Sequence, residues 1–292
     1  MSYYLSQPLV LVPAVFILGL LIGSFLNVVI YRLPKMMEDE WRDQCCDLLE
    51  QPKPEKNERF DLLFPASTCP ECGHKIRPWE NIPVISYLFL KGACSKCKTK
   101  ISIRYPLVEL ATGVLSGFAA LYFGFTPQLL AVLILTWTLI SLTMIDVDHQ
   151  LLPDSMTLPL MWLGLLLNSG AFFGVGLFTD LHSSLYGAMA GYLSLWSVYW
   201  LFKLITKKEG MGFGDFKLLA ALGAWMGWQY LVLIILLSSA VGAILGIGAI
   251  LLQGRDKAKP IPFGPYLAIA GWIALLWGEE IITRYLQMAQ VG

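Results

Sequence analysis

The chain has 292 residues, 56% apolar and only 14% charged, with 21 basic against 21 acidic side chains and a mean hydropathy of +0.62. Soluble domains carry about 25% charge, so this composition excludes a disordered chain, a collagen-like fibre and a disulfide-stapled miniprotein, and indicates an integral membrane protein. The formal net charge of zero gives no reason to expect nucleic-acid binding.

A membrane-crossing helix needs about 20 apolar residues. The first candidate is 9–30. It lacks a basic stretch before it and a small-residue cleavage site after it, so it reads as a retained span rather than a signal peptide. A polar stretch, 32–104, follows and is long enough for a small soluble insert. Four further spans are expected at about 106–125, 128–146, 156–176 and 184–205. The apolar segment 218–252 is over 50 Å long at about 1.5 Å per residue, too long for one crossing of a core about 30 Å thick. Gly223, Gly227 and Gln229 suggest a break within it. A last span is expected at 264–283. The fold class is therefore an all-α polytopic membrane protein, with about eight transmembrane helices and an insert between the first and second.

Charge placement orients this layout. The segment 32–104 holds 13 of the 21 Lys and Arg, and none occurs from Tyr105 to Phe202. Basic loops stay in the cytoplasm. With the insert there, alternation also places 147–155, 206–216 and the loop carrying Arg255, Lys257 and Lys259 in the cytoplasm. Only Arg284 then lies outside, with both termini.

Four of the six cysteines form two pairs, Cys69-Pro-Glu-Cys72 and Cys94-Ser-Lys-Cys97. Two C-x-x-C knuckles at this separation suit a tetrahedral zinc site with four thiolates. Stable disulfides are disfavoured in the cytoplasm, and one redox motif would need no twin. Four protein ligands leave no open position, so the zinc is expected to be structural, stapling a zinc-ribbon-like insert with little core of its own. His74 could compete as a ligand. Cys45 and Cys46 lack partners at ligand spacing and read as ordinary thiols.

Acidic residues at a membrane edge are costly and mark function. Glu109 lies early in the second span. Asp146 and Asp148 end the third, and Asp154 follows in Leu-Pro-Asp. Asp215 sits in Gly210-Met-Gly-Phe-Gly-Asp-Phe-Lys217, just before the sixth span. The topology puts Asp146 and Asp215 on one side at similar depth. Two carboxylates that share a site cannot both ionise cheaply, so the pair would hold one proton and supply an acid and a base. Gly212 and Gly214 allow the backbone to come close to a substrate. Asp154 can equally start the next helix beside Pro153. Gly187-x-x-x-Gly191 reads as a helix-packing motif. His149 and His182 read as solvated loop residues, and the ten Trp as interfacial or core anchors.

Two segments, Ile145-Asp-Val-Asp-His-Gln-Leu-Leu-Pro-Asp154 and Gly212-Phe-Gly-Asp215, resemble the active-site segments of the type IV prepilin peptidases, membrane aspartic proteases of the Gly-x-Gly-Asp class. The double C-x-x-C insert, Gly23-Ser-Phe-Leu-Asn-Val-Val-Ile-Tyr-Arg-Leu-Pro34 and Pro262-Phe-Gly-Pro-Tyr-Leu-Ala268 match the bacterial bifunctional members. The resemblance implies an enzyme of the bacterial inner membrane. Such an enzyme cuts the basic leader from type IV pilins and type II secretion pseudopilins at the cytoplasmic face. It then methylates the new N-terminal amine with S-adenosylmethionine. By motif, Asp146 and Asp215 are the catalytic pair, with Asp148 the rival for the first role. The implied organisation is a first transmembrane helix at 1–31, a methyltransferase-linked zinc insert at 32–104 and a transmembrane peptidase domain at 105–292. No Gly-x-Gly-x-x-Gly follows a strand, so the methyl-donor residues and the amine's base are not identified. The oligomeric state is likewise open. The acids Glu38, Asp39 and Glu40 could attract a basic leader, or form a solvated face.

Other classes leave different marks. A transporter could use Glu109, Asp146 and Asp215 as a cation path through a discontinuous helix, but these acids cluster at one edge and the chain shows no internal repeat. A zinc protease would need an open metal position, and no H-E-x-x-H occurs. A peptidase without methylation, or a methyltransferase with a vestigial acid pair, would differ only in product.

Overall fold

The computed structural model describes residues 7–53, 59–208, 210–253 and 262–290. It bears out an all-α protein: among the described residues there is no strand, only two isolated bridges. Arg255, Lys257 and Lys259, used in the topology argument, lie outside the described residues. The chain divides into two compact units, Met1–Ser141 and Leu142–Gly292.

In the first unit, α1 (Pro8–Leu48) is far longer than the apolar stretch at its start. Its 41 residues span about 60 Å, twice a hydrocarbon core. The helix runs on through Tyr31 and past Pro34 because helix formers such as Lys35, Met36, Met37, Glu38 and Glu40 resume directly after the proline. Asp39 pairs there with Arg42 across one turn. The insert that follows holds a 3-10 turn (Pro78–Asn81) and the short α2 (Ile85–Phe89), neither with a buried residue. Then come α3 (Arg104–Phe123), stopped by Gly124 at φ 60°, and α4 (Pro127–His149), on which the division between the units falls.

Helices α1 and α3 meet along small residues. A methyl group on Gly19 would lie 2.6 Å from Ser116 Oγ, and one on Gly23 would lie 2.7 Å from the Cα of Glu109. Lipid gives two helices no hydrophobic reason to associate, so close backbone approach supplies the attraction.

The second unit contains α5 (Asp154–Asn168), α6 (Leu181–Thr206), α7 (Phe213–Met226), α8 (Leu231–Gln253) and α9 (Gly264–Gln290), with a 3-10 turn at Trp228–Tyr230. The expected break in 218–252 falls at Gly227, whose φ of 91° suits a residue without Cβ. The expected span 156–176 ends early, at Asn168, because the chain turns through Gly170 and Gly174, both at positive φ. Asp180 caps α6 by accepting a 3.0 Å hydrogen bond from the Ser183 N–H. Helix α7 is the core: every residue from Leu218 to Met226 is buried. Gly187 and Gly191 do serve packing. A Cβ on Gly187 would sit 2.2 Å from the Gly223 carbonyl oxygen, and one on Gly223 equally close to that of Gly187.

Among the described residues, six helices are long and apolar enough to cross a membrane. The remaining two expected spans, α5 and α7, have 15 and 14 residues. Large apolar side chains such as Leu201, Leu204, Val232 and Leu236 are exposed, as a lipid-facing surface requires.

Candidate active site and cysteine cluster

Asp146 and Asp215 are both buried, 5% and 7% exposed, on α4 and α7 of the second unit. Their carboxylates are near enough to act on each other electrostatically. Asp215 is not ahead of its helix, as the sequence suggested, but within the first turn of α7, its N–H bonded to the Gly212 carbonyl. Successive helical residues are about 100° apart. Asp148, two positions after Asp146, therefore points to the other side of α4 and is exposed. His149 is the last residue of α4 and His182 the second of α6, so neither lies in a loop.

Three chain segments converge on the pair. Asp146 Oδ2 accepts a 3.0 Å hydrogen bond from the N–H of Gly264, the first residue of α9. Leu152 fills the space between helix starts: a Cβ on Gly214 would lie 2.6 Å from Leu152 Cβ, and one on Gly264 would lie 3.2 Å from both Leu152 Cδ atoms and 2.7 Å from Asp146 Oδ2. The two glycines before Asp215 therefore do different things. Gly214 is packed tight. Gly212 is exposed, and a side chain there would meet only Asp215 Oδ2, at 3.7 Å. Tyr199 of α6 seats the start of α7, with ring centroids 5.2 Å from Phe213 and 5.7 Å from Phe216.

Asp154 does not reach the buried pair. It opens α5 and accepts from Lys217 Nζ on both oxygens, at 2.6 and 2.7 Å. The far ends of α5 and α7 are joined through buried Asn168. Its amide donates to the carbonyls of Ala224 and Trp225, and its oxygen accepts from the N–H groups of Phe178 and Thr179.

In the first unit, the four cysteines come together with all four Sγ within 4.8 Å of one another, Cys69 to Cys97 at 3.7 Å and Cys72 to Cys94 at 4.0 Å. Sulfurs about 2.3 Å from a tetrahedral zinc lie about 3.8 Å apart, so the donor set fits that metal. The two knuckles repeat one geometry. Cys69 N–H donates to His74 O, and Cys94 N–H to Thr99 O. Gly73 and Lys98, one after each second cysteine, take φ of 65° and 62°. Thr99, through its hydroxyl and its N–H, holds the Cys97 thiol down to about 6. His74 faces Glu80 instead of the cluster, with Nε2 3.1 Å from Oε2. The Arg77 N–H, then the Ser95 hydroxyl and His74, hold the Glu80 carboxyl down to about 2. Cys45 is exposed and Cys46 half-buried near the end of α1.

Polar side chains from the long helices grip the insert's main chain. Arg32, buried on α1, donates to the carbonyls of Asp61 and Pro65 at 2.8 and 2.6 Å. Buried Glu109 on α3 accepts a 2.7 Å hydrogen bond from the Val84 N–H. Val84 has φ 59° and ψ −47°, a conformation costly for a β-branched residue. The sequence flagged Glu109 but gave no sign of its partner. Nothing in the sequence assigns a role to Arg32 or Gly264, and the one signal at Lys217 is a cation two residues after Asp215.

Comparison with known proteins shows the family. The family model of the bacterial peptidase A24 N-terminal domain matches residues 17–123, and that of the type IV leader peptidase family matches 133–247. Prepilin leader peptidase/N-methyltransferases of Stutzerimonas stutzeri and Pseudomonas aeruginosa are 59% and 60% identical over 290 residues. These alignments cover 99% of this chain, and 99% and 98% of the relatives. The chain belongs to the prepilin leader peptidase/N-methyltransferase family. The Pseudomonas putida member is 53% identical over 287 residues, 98% of each chain. No solved structure matches. The first family model thus takes in the cysteine cluster, and the second takes in Asp146 and Asp215.

Proposed function

We propose that this protein cuts the basic leader from type IV prepilins and type II secretion pseudopilins and methylates the amine so exposed. Membership of the family supports both activities, and the buried Asp146–Asp215 pair is the observation that carries the cut. The Gly264 N–H, at the start of α9, suits a carboxylate anion. Asp146 is then the base and Asp215 the proton donor. Asp146 takes a proton from a water whose oxygen bonds to the scissile carbonyl carbon, while Asp215 protonates the carbonyl oxygen. When the resulting tetrahedral carbon collapses, the C–N bond breaks, the proton held by Asp146 goes to the departing amine, and Asp215 takes back a proton from one hydroxyl as the carboxylic acid forms. Exposed Gly212 leaves the approach to Asp215 free of a side chain. Asp148, on the far side of α4, and Asp154, held by Lys217, take no part in proton transfer.

Cys69, Cys72, Cys94 and Cys97 hold a structural zinc, which fixes the two knuckles relative to each other. S-adenosylmethionine supplies the methyl group. Family membership supports the bacterial inner membrane, and the charge distribution favours an orientation with the basic segments in the cytoplasm, where a pilin presents its basic leader. Segment 32–104 then serves methylation, and 105–292 the cut.

The test is the intact mass of a purified prepilin after incubation with the protein, with and without S-adenosylmethionine. Loss of the leader, plus one methyl when the donor is present, is the expected result. An unchanged mass with well-folded protein would overturn the reading.

A further inference from the structure

Helices α5 and α7 are tied together differently at their two ends. At the far end the ties are buried and uncharged. Trp225 Nε1 donates to the Leu160 carbonyl at 2.8 Å, Asn168 bonds the last carbonyls of α7, and Gly164 lies under the Trp225 ring. The near end carries Asp215. No side chain caps either helix there: the cap positions are Pro153 and Gly212. Lys217, 26% exposed, spans that end to Asp154, with both carboxylate oxygens engaged.

Lys217 is the fifth residue of α7, just past its first turn, and its partly buried ammonium is balanced by an acid from a different helix. That acid, Asp154, lies in the first turn of α5, where an acid is favoured. The register is also informative. Lys217 follows Asp215 by two residues, about 200° around the helix. A force on Lys217 therefore sets the direction in which Asp215 points.

We propose that the Lys217–Asp154 ion pair is a positioning element for the peptidase, fixing the rotation of the first turn of α7 and so aiming Asp215 at Asp146. This rests on the reading of those two carboxylates as the catalytic pair. Lys217 and Asp154 touch neither the scissile bond nor the water; they act through Asp215. A proton donor misplaced by a fraction of an ångström loses rate without losing substrate.

Steady-state cleavage of a prepilin would be measured for wild type, D154N, K217M, K217R, the exchanged pair D154K/K217D, and D215A as the control. D154N and K217M are expected to lower kcat about tenfold with KM within twofold of wild type. K217R, which keeps a two-pronged donor, and the exchanged pair are expected to recover kcat to within about threefold. Single variants with wild-type kcat would overturn the proposal. So would a raised KM at unchanged kcat, which would make Asp154 a subsite for the basic leader. K217R as impaired as K217M, at equal melting temperature, would overturn it too. Failure of the underlying reading shows separately, as cleavage that survives D215A.

Discussion

The insert of the first unit and the α5–α6–α7 platform of the second are ordered by different means. The insert's 3-10 turn and short helix bury no residue. Its shape depends on four thiols and on charged side chains, Arg32 and Glu109, that reach its main chain from α1 and α3. The platform depends on close contact: glycines let α6 and α7 touch backbone to backbone, and α7 is buried through its last nine residues. A region built on ligands and long polar reach can be loosened one fastener at a time. A region built on contact transmits any added atom to its neighbours. The buried carboxylates Asp146 and Asp215 lie mainly on the second kind of support, with the Lys217–Asp154 ion pair as a polar tie at its near end.

The largest test of that contrast removes the carboxylates without disturbing the packing. D146N and D215N are each expected to cut prepilin cleavage by about 10³-fold, within the range of acid–base contributions, while zinc content and melting temperature stay near wild type. D148N should remain within a few-fold. Intact-mass kinetics reads all three.

Loosening the ligand-held region comes next. C72S or C94S should abolish stoichiometric zinc binding, measured by elemental analysis, and raise hydrogen exchange across 68–101. Methylation should fall well below cleavage. Equal loss of both products would mean that the platform needs the insert for its own order.

Adding one methyl group to the platform should cost stability instead. G187A and G223A each place a carbon 2.2 Å from a carbonyl oxygen of the facing helix. Overpacking of this kind costs about 1–3 kcal/mol. A lowered melting temperature with reduced cleavage is expected; wild-type stability in both would break the contrast.

The smallest effect separates one fastener from the fold. E109L leaves the Val84 N–H without its acceptor, a loss of about 1–3 kcal/mol, whereas E109Q keeps an acceptor oxygen. Hydrogen exchange over 82–86 should rise for E109L and not for E109Q, with cleavage unchanged in both.

Much of the fold was legible from spacing and composition. Apolar runs marked the helices, two C-x-x-C pairs marked the four thiols that cluster, and Gly212 to Asp215 marked the segment that carries the second buried carboxylate. Helix ends were less legible. The start of α7 was missed because Gly212 and Gly214 suggest a loop, although a helix N-terminus tolerates both. The length of α1 was missed because apolarity ends at Ile30 while helix propensity does not. The glycine seam of α1, Gly19 and Gly23, went unread beside the one at Gly187 and Gly191.

The sequence by itself determined what depends on neighbours along the chain: which segments are helical and which thiols lie in tight turns; it left Asp146 and Asp148 as rivals. Only the tertiary structure decided what depends on helix crossing. Asp146 comes within electrostatic reach of Asp215 across 69 residues and takes its hydrogen bond from Gly264, 118 residues away. Lys217 closes on Asp154, and Glu109 on the Val84 N–H. The physical reason is range: helix periodicity and knuckle geometry repeat within a few residues, whereas the approach of two helices is set by side chains from both at once.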